Sequence, residues 1–319
     1  MAKYIKYELQ ELREDKFLED INQIKRAGFT GVVIPAARQP SDNSINDINS
    51  EFLPLKKIVE LTYKIGLEII IDIDVFQSSY IWAHKNFSEP VNYNNSPYYQ
   101  KKNDQYYPIC PNNPLSEKRL ENLLEILKQL PSATTFLFSE LSFPFNWKAN
   151  DLDVQHSQPP FCYCPFCMGE FSEYINEAIS EPEQIKDNIR YWMDWRINVI
   201  YGYYMDISSK LPANDLIISI PPLSLIDIPF VTGQIPIAFL KENARISMPL
   251  LHHTKNKNFN WVFDQLRHYD LEMEEYDLVP IFEISSEDMK NIEDMDKKDF
   301  KDIIYYSWDK YYNQILVHP

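Results

Sequence analysis

Glycine is scarce, with six in 319 residues. Neither G-x-G-x-x-G nor G-x-x-x-x-G-K-[ST] occurs, so the chain lacks the glycine-built phosphate cradles of the common nucleotide-binding folds. Positive charge is also in deficit. Lys and Arg total 31 against 47 Asp and Glu, a formal net charge of −16. Nucleic acids and anionic membranes are bound through a basic footprint, so neither is an expected partner. No run of about 18 apolar residues is present to span a bilayer. The opening MAKYIKYELQELRED has no apolar signal region. The expectation is a cytoplasmic protein whose thiols stay reduced.

Cysteine is rare, yet all four cysteines fall in one interval: Cys110, Cys162, Cys164 and Cys167. A disulfide pair fits poorly with a reducing compartment, and the spacing matches neither ferredoxin pattern of iron–sulfur ligation. Cys-x-Cys-x-x-Cys with one distant thiol is the ligand supply of a structural zinc site. Zn²⁺ takes four thiolates at about 2.3 Å, and a closed thiolate set leaves no open position for catalysis. The competing reading is four unrelated buried thiols. On the zinc reading, Zn²⁺ staples a loop region at about 106–171.

What is plentiful is apolar character, at 45% of residues, and proline, at 22. A sizeable core with stiff loops follows. Eight short β-rich runs recur: YIKYEL (4–9), GVVIPAA (31–37), LEIIIDIDVF (67–76), TTFLFSE (134–140), DLIISIPP (215–222), ARISMPLL (244–251), LVPIFEIS (278–285) and DIIYYSW (302–308). Between them lie helix-period stretches at 15–28, 54–66, 116–131, 182–212 and 259–275, and KKDF (297–300) leads into the eighth run. Gly28 and Gly66 read as helix C-terminal signals, Ser116 as an N-cap, and Pro182 and Pro212 as bounds of the longest helix. Strand–helix alternation implies parallel pairing with helical crossovers, and eight repeats predict one (β/α)₈ barrel over residues 1–319. A doubly wound open sheet is the alternative. The length beyond a typical barrel sits in two long loops, 77–115 and 141–181, after the third and fourth runs. Barrel enzymes build their sites at that end of their strands.

Glu140 closes the fourth run and Glu283 lies at the end of the seventh. In a closed barrel both project toward one mouth. Paired carboxylates are what glycosidic cleavage needs, one to protonate the leaving oxygen and one to attack the anomeric carbon or activate water. Asp72 and Asp74 share one face of the third run by period two, and Glu8 is a similar acid in the first. Such acids either pair with an internal Arg or line the mouth. Trp308 ends the eighth run, where an aromatic platform would stack on a sugar ring. Tyr80, Trp82, Phe145 and Trp147 on the long loops would extend it. Arg38 after the second run and His252 after the sixth are further candidates for sugar contact.

The segments YYPICPNNP (106–114), FLFSE (136–140) and FCYCPFCMGEF (161–171) resemble the catalytic barrel of family 42 glycoside hydrolases. RYWMDWRINVI (190–200) looks like the helix that follows the cysteine cluster in that family. The resemblance implies a retaining β-galactosidase-like barrel with four thiols on a structural zinc. It implies Glu140 as acid/base, Glu283 as nucleophile, and a glycoside or oligosaccharide as substrate. The chain departs from the family in three ways. Ser139 stands where the family has Asn, and a serine cannot span the same distance to the sugar 2-hydroxyl. Tyr106 and Tyr107 stand where an Arg is expected. The family's additional C-terminal domains, expected to support trimeric assembly, have no counterpart in this sequence. The competing readings are a carbohydrate-binding barrel without chemistry, fed by Ser139, and a zinc-stapled α/β interaction scaffold.

Overall fold

A computed structural model describes residues 1–9, 11–37, 48–78, 81, 91, 108–145, 162–212, 214–254, 257–272, 278–283 and 300–308. Eight parallel strands form a closed barrel: β1 (Ala2–Lys6), β2 (Gly31–Pro35), β3 (Glu68–Asp74), β4 (Thr135–Ser139), β5 (Leu216–Ser219), β6 (Arg245–Leu250), β7 (Leu278–Glu283) and β8 (Asp302–Tyr306). Each pairs with its neighbour in sequence, and β8 returns to β1 through Ala2 opposite Asp302. The fold is a (β/α)₈ barrel. The first strand begins two residues earlier than its apolar run, because pairing with β8 recruits Ala2 and Lys3.

Alternation along the strands divides the core in two. Tyr4, Val33, Ile70, Leu137, Ile217, Val279, Ile281 and Ile304 pack together inside the barrel. Their sequence neighbours, among them Ile5, Val32, Ile69, Phe136, Ile218 and Ile303, join the larger cluster that packs the helices. Gly31 fits the inner layer because it has no side chain. A Cβ there would lie 2.7 Å from the Glu68 carbonyl oxygen and from the Tyr4 ring. At the strand N-termini Arg245 pairs with Asp215 at 2.5 Å and with Asp302, linking β5, β6 and β8. A polar base of this kind belongs to stability, since barrel sites form at the opposite end.

The helices among the described residues are α1 (Glu14–Arg26), α2 (Leu55–Ile65), α3 (Pro114–Leu127), α4 (Pro165–Ile175), α5 (Ile189–Lys210), α6 (Asp227–Thr232), α7 (Pro236–Lys241) and α8 (Phe259–Glu272). None is long and apolar enough to cross a membrane. Gly66 ends α2 in the left-handed conformation, φ +76°, which releases the chain into β3. The N-cap of α3 is Asn113, not Ser116. Asn113 accepts from the Leu115 N–H at 2.9 Å with Pro114 in the first turn. Ser116 is buried inside the helix and donates to the Cys110 carbonyl at 2.8 Å. The stretch 182–212 divides into a 3₁₀ segment, Pro182–Asn188, and α5. The short helices α6 and α7 were not expected, because six residues are too few to display a helical period. Of KKDF, only Phe300 lies among the described residues, and it is not helical.

Candidate active site

The inward positions at the C-terminal ends of the strands carry ionisable side chains in place of the apolar ones below. Lys6 on β1 reaches Asp72 Oδ2 on β3 at 2.9 Å and Glu8 Oε1 at 3.9 Å, and its ammonium lies 5.4 Å from the centre of the Tyr306 ring on β8. Ser139 on β4 donates its hydroxyl to Asp72 Oδ1 at 2.6 Å. Asp74 lies opposite Ser139 in the β3–β4 register. Among the described residues the cation paired with Asp72 is thus a lysine from the first strand.

These groups perturb one another. Burial works against the charge on Lys6, but Asp72, Glu8 and Asp74 outweigh it and hold the ammonium well above the usual lysine range. Burial, and then the adjacent Asp72 carboxylate, push Asp74 up to about 7, against the lowering fields of Lys6 and Arg119. Arg119 on α3 braces this strand end from behind. Its guanidinium donates to the carbonyls of Asp74 and Val75 at 3.0 Å each and to Glu51 Oε2 at 2.9 Å. Ser78 donates to the other Glu51 oxygen at 2.5 Å. Arg119 and Glu51 are each 2% exposed.

Glu283 is the last residue of β7 and is buried. Thr254, four residues beyond β6, holds both of its oxygens. The Thr254 N–H donates to Oε2 at 3.0 Å and the hydroxyl to Oε1 at 3.1 Å. Glu140 directly follows β4 and is half-buried with φ +54°. A non-glycine residue in the left-handed region is uncommon and costs of order 1 kcal/mol. Here it ends the extended backbone of β4 immediately after Ser139. His252 is buried, its ring 4.1 Å from that of His253 and edge-on to Phe259 at 5.2 Å. Trp308 is 3% exposed and belongs to the main apolar core. Phe145 is also buried, against Phe230 and Val231. Arg38, Tyr80, Trp82, Trp147, Tyr106 and Tyr107 lie outside the described residues.

Lys6 and Thr254 were not singled out from sequence. Lys6 had a legible signal, since Tyr4, Lys6 and Glu8 alternate on one face of the first run. Thr254 had none, because its role depends on the fold of the loop after β6.

The four cysteines converge. All four sulfurs lie within 4.8 Å of one another and every one is buried. Cys110 Sγ is 3.3 Å from Cys167 Sγ and 3.4 Å from Cys164 Sγ. Four thiolates around a tetrahedral ion at about 2.3 Å would stand about 3.8 Å apart, so the cluster needs only small adjustments to hold one. The Val91 N–H reaches Cys162 Sγ at 3.4 Å and the Asn112 amide reaches Cys167 Sγ at 3.6 Å, the outer donors a metal-bound thiolate takes. Burial pushes the Cys110 and Cys167 thiols well up, and hydrogen bonds from Cys110 and the other thiols pull Cys164 far down. Four such thiols ionise together only around a cation. The group could therefore hold a metal ion such as zinc. Cys110 comes from the segment before α3, and the other three come from the entry and first turn of α4, so the cluster ties these two segments together.

No protein-family model matches the chain and no curated protein matches it. Solved structures do. The glycoside hydrolase domain of PgaB (BpsB) from Bordetella bronchiseptica superposes with a TM-score of 0.68 at 11% identity, covering 100% of this chain and 95% of that one. The catalytic domain of β-amylase from Paenibacillus polymyxa gives 0.59 at 10% identity, covering 97% and 92%. The family 42 β-galactosidase Gan42B from G. stearothermophilus, as its catalytic mutant, gives 0.53 at 11% identity, covering 78% of this chain and 40% of that longer one. At such identities the likeness shows the fold alone: a (β/α)₈ barrel whose structural neighbours include family 42 β-galactosidases and other glycoside hydrolase barrels.

Proposed function

We propose that the protein is a retaining glycoside hydrolase acting on β-glycosides, β-galactosides first among them, with residues 1–319 as one barrel domain. Glu140 serves as acid/base and Glu283 as nucleophile. The observation that carries the reading is the treatment of Glu283. A carboxylate is buried at the end of β7 and oriented by two donors from one threonine, one on each oxygen. Burying such a group is costly, and a bidentate hold fixes its direction. Glu283 attacks the anomeric carbon while Glu140 protonates the leaving oxygen. Water then releases the sugar with Glu140 acting as base. Ser139 supplies polar contact at the mouth, with Arg38 and Trp82 on the loops. His252 and Trp308, being packed, support the mouth from behind. The four cysteines hold a structural Zn²⁺ that staples the loops flanking β4.

A carbohydrate-binding barrel without chemistry is the second reading. Its support is Ser139, whose hydroxyl is committed to Asp72 at 2.6 Å. The test is hydrolysis of a panel of aryl β-glycosides by the wild type, Glu283→Gln and Glu140→Gln. Glu283→Gln should eliminate turnover. Glu140→Gln should lose most activity on poor leaving groups and less on activated ones, which need little proton assistance. Equal weak rates in all three proteins would sink the enzyme reading, and sugar binding without turnover would favour the second.

A further inference from the structure

Between α3 and α5, among the helices that surround the barrel, lies a groove of about 480 Å³. That volume falls in the range of small-molecule sites, about 300–1,000 Å³. Its apolar lining comes from Leu120 of α3 and from Val199 and Tyr203 of α5. Tyr203 is held in place by its hydroxyl, which donates to the Pro111 carbonyl at 2.7 Å, and by edge-on packing against Phe76 at 5.0 Å. Gly202 opens the groove from the α5 side. It sits inside the helix in an ordinary helical conformation, and a Cβ there would meet nothing within 4 Å. Neither packing nor backbone geometry therefore calls for glycine, which after proline is the residue least favourable to a helix. What the glycine preserves is the open volume beside it.

The polar lining is acidic. Glu117 and Glu121 stand one turn apart on α3, a spacing at which like charges weaken a helix, and Glu170 joins them from α4. Among the described residues none of these three carboxylates has a cation or hydrogen-bond donor as partner. Asp206 differs, since Lys210 neutralises it at 2.8 Å. Burial first, and then the fields of Glu117 and Glu170 among others, hold the Tyr203 phenol well above its usual range, so both charges bear on the groove floor. The carboxylates do not converge. Among the described residues only the four cysteines come together as a metal-binding group, so the groove does not suit a divalent metal ion. Separated negative charges over an apolar floor suit an elongated cation with methylene segments between its charges.

We propose that this groove binds a linear aliphatic polyamine. Its methylene segments lie along Leu120, Val199 and the open side of Gly202, and its ammonium groups meet Glu117, Glu121 and Glu170. Three carboxylates without partners match a trication. The proposal is independent of the glycosidase reading, because the groove is built from the outer helices and shares no residue with the proposed catalytic pair. The net charge of −16 draws any polycation to the whole surface, so charge and space are tested apart.

Spermidine is titrated calorimetrically at about 0.15 M salt, where exposed charges are screened beyond about 8 Å. The wild type should bind it at a single site. Glu117→Gln with Glu121→Gln should weaken binding roughly tenfold, the loss of two exposed ion pairs. Asp15→Asn with Glu19→Gln removes two exposed charges at the same spacing from α1 and should leave the affinity unchanged. Gly202→Leu keeps every charge but fills the groove, and should weaken binding by a similar factor. Leucine favours the helix, so the melting temperature of this variant should not fall. Absence of wild-type binding, unchanged affinity in Gly202→Leu, or an equal loss in the α1 variant overturns the proposal. Full displacement of spermidine by Mg²⁺ at equal ionic strength would reveal counter-ion association only and overturns it as well. A lysine hexapeptide that binds where spermidine does not would assign the groove to a protein partner instead.

Discussion

Substituting Arg119 by Met removes the guanidinium that braces the end of β3 while keeping most of the apolar stem. Three acceptors lose a donor: Glu51 Oε2 at 2.9 Å and the carbonyls of Asp74 and Val75 at 3.0 Å. Arg119 and Glu51 are each 2% exposed, so water cannot replace the lost partner without opening the packing. Breaking a buried pair by removing one member costs about 3–5 kcal/mol. At about 2.1 cal/mol/K of unfolding entropy per residue, a chain of this length loses roughly 5–7 °C in melting temperature. Removing the charge as well, in Arg119→Met with Glu51→Gln, should recover part of that loss, because no bare carboxylate stays buried. Calorimetric melting of the wild type, both single variants and the double variant gives the coupling. Repeating it at high salt checks burial, since a buried pair is screened little. A drop below about 1 °C for Arg119→Met, or strictly additive losses in the double variant, would refute the buried-brace argument.

Cys164→Ser should lose bound zinc, read by elemental analysis of the purified protein, and melt at lower temperature. A thousandfold loss of metal affinity at saturating metal corresponds to about 4 kcal/mol. Unchanged metal content would remove the staple from the account. Thr254→Val deletes the hydroxyl that donates to Glu283 Oε1 at 3.1 Å and keeps the backbone N–H that serves Oε2. A hydrogen bond to a charged group contributes about 1.5–3 kcal/mol, so kcat should fall roughly ten- to hundredfold with little change in melting temperature. Thr254→Ser should restore it, and a failure of that rescue would show that packing and not donation is at stake.

The barrel was legible because eight apolar runs with turn residues between them permit few other parallel arrangements. Period two along β3 placed Asp72 and Asp74 on one face correctly. Which partner each would find was not legible, because Lys6 meets Asp72 only after β1 and β3 curve toward one another across the intervening β2. The N-cap of α3 was misplaced for a related reason. Ser116 has the right chemistry, but Asn113 followed by Pro114 starts the helix a turn earlier and Ser116 is drawn inside to the Cys110 carbonyl. Cysteine spacing alone marked the thiol cluster, whereas the burial of Trp308 and His252 depends on side chains brought in from distant elements.

The pairing of β1 with β8 has a kinetic consequence. Every other ladder in the barrel joins strands adjacent in the sequence, but Ala2 finds Asp302, and Ile5 finds Tyr305, only when the whole chain is available. Until then β1 and β8 are both open edges, each able to pair with a strand of another molecule. Closing this longest loop must await the most distant contact in the chain, so folding should be slow and concentration-sensitive at that stage. The base linkage of Arg245 to Asp215 and Asp302 anchors β8 to the half of the barrel that precedes it, which shortens the remaining search for β1.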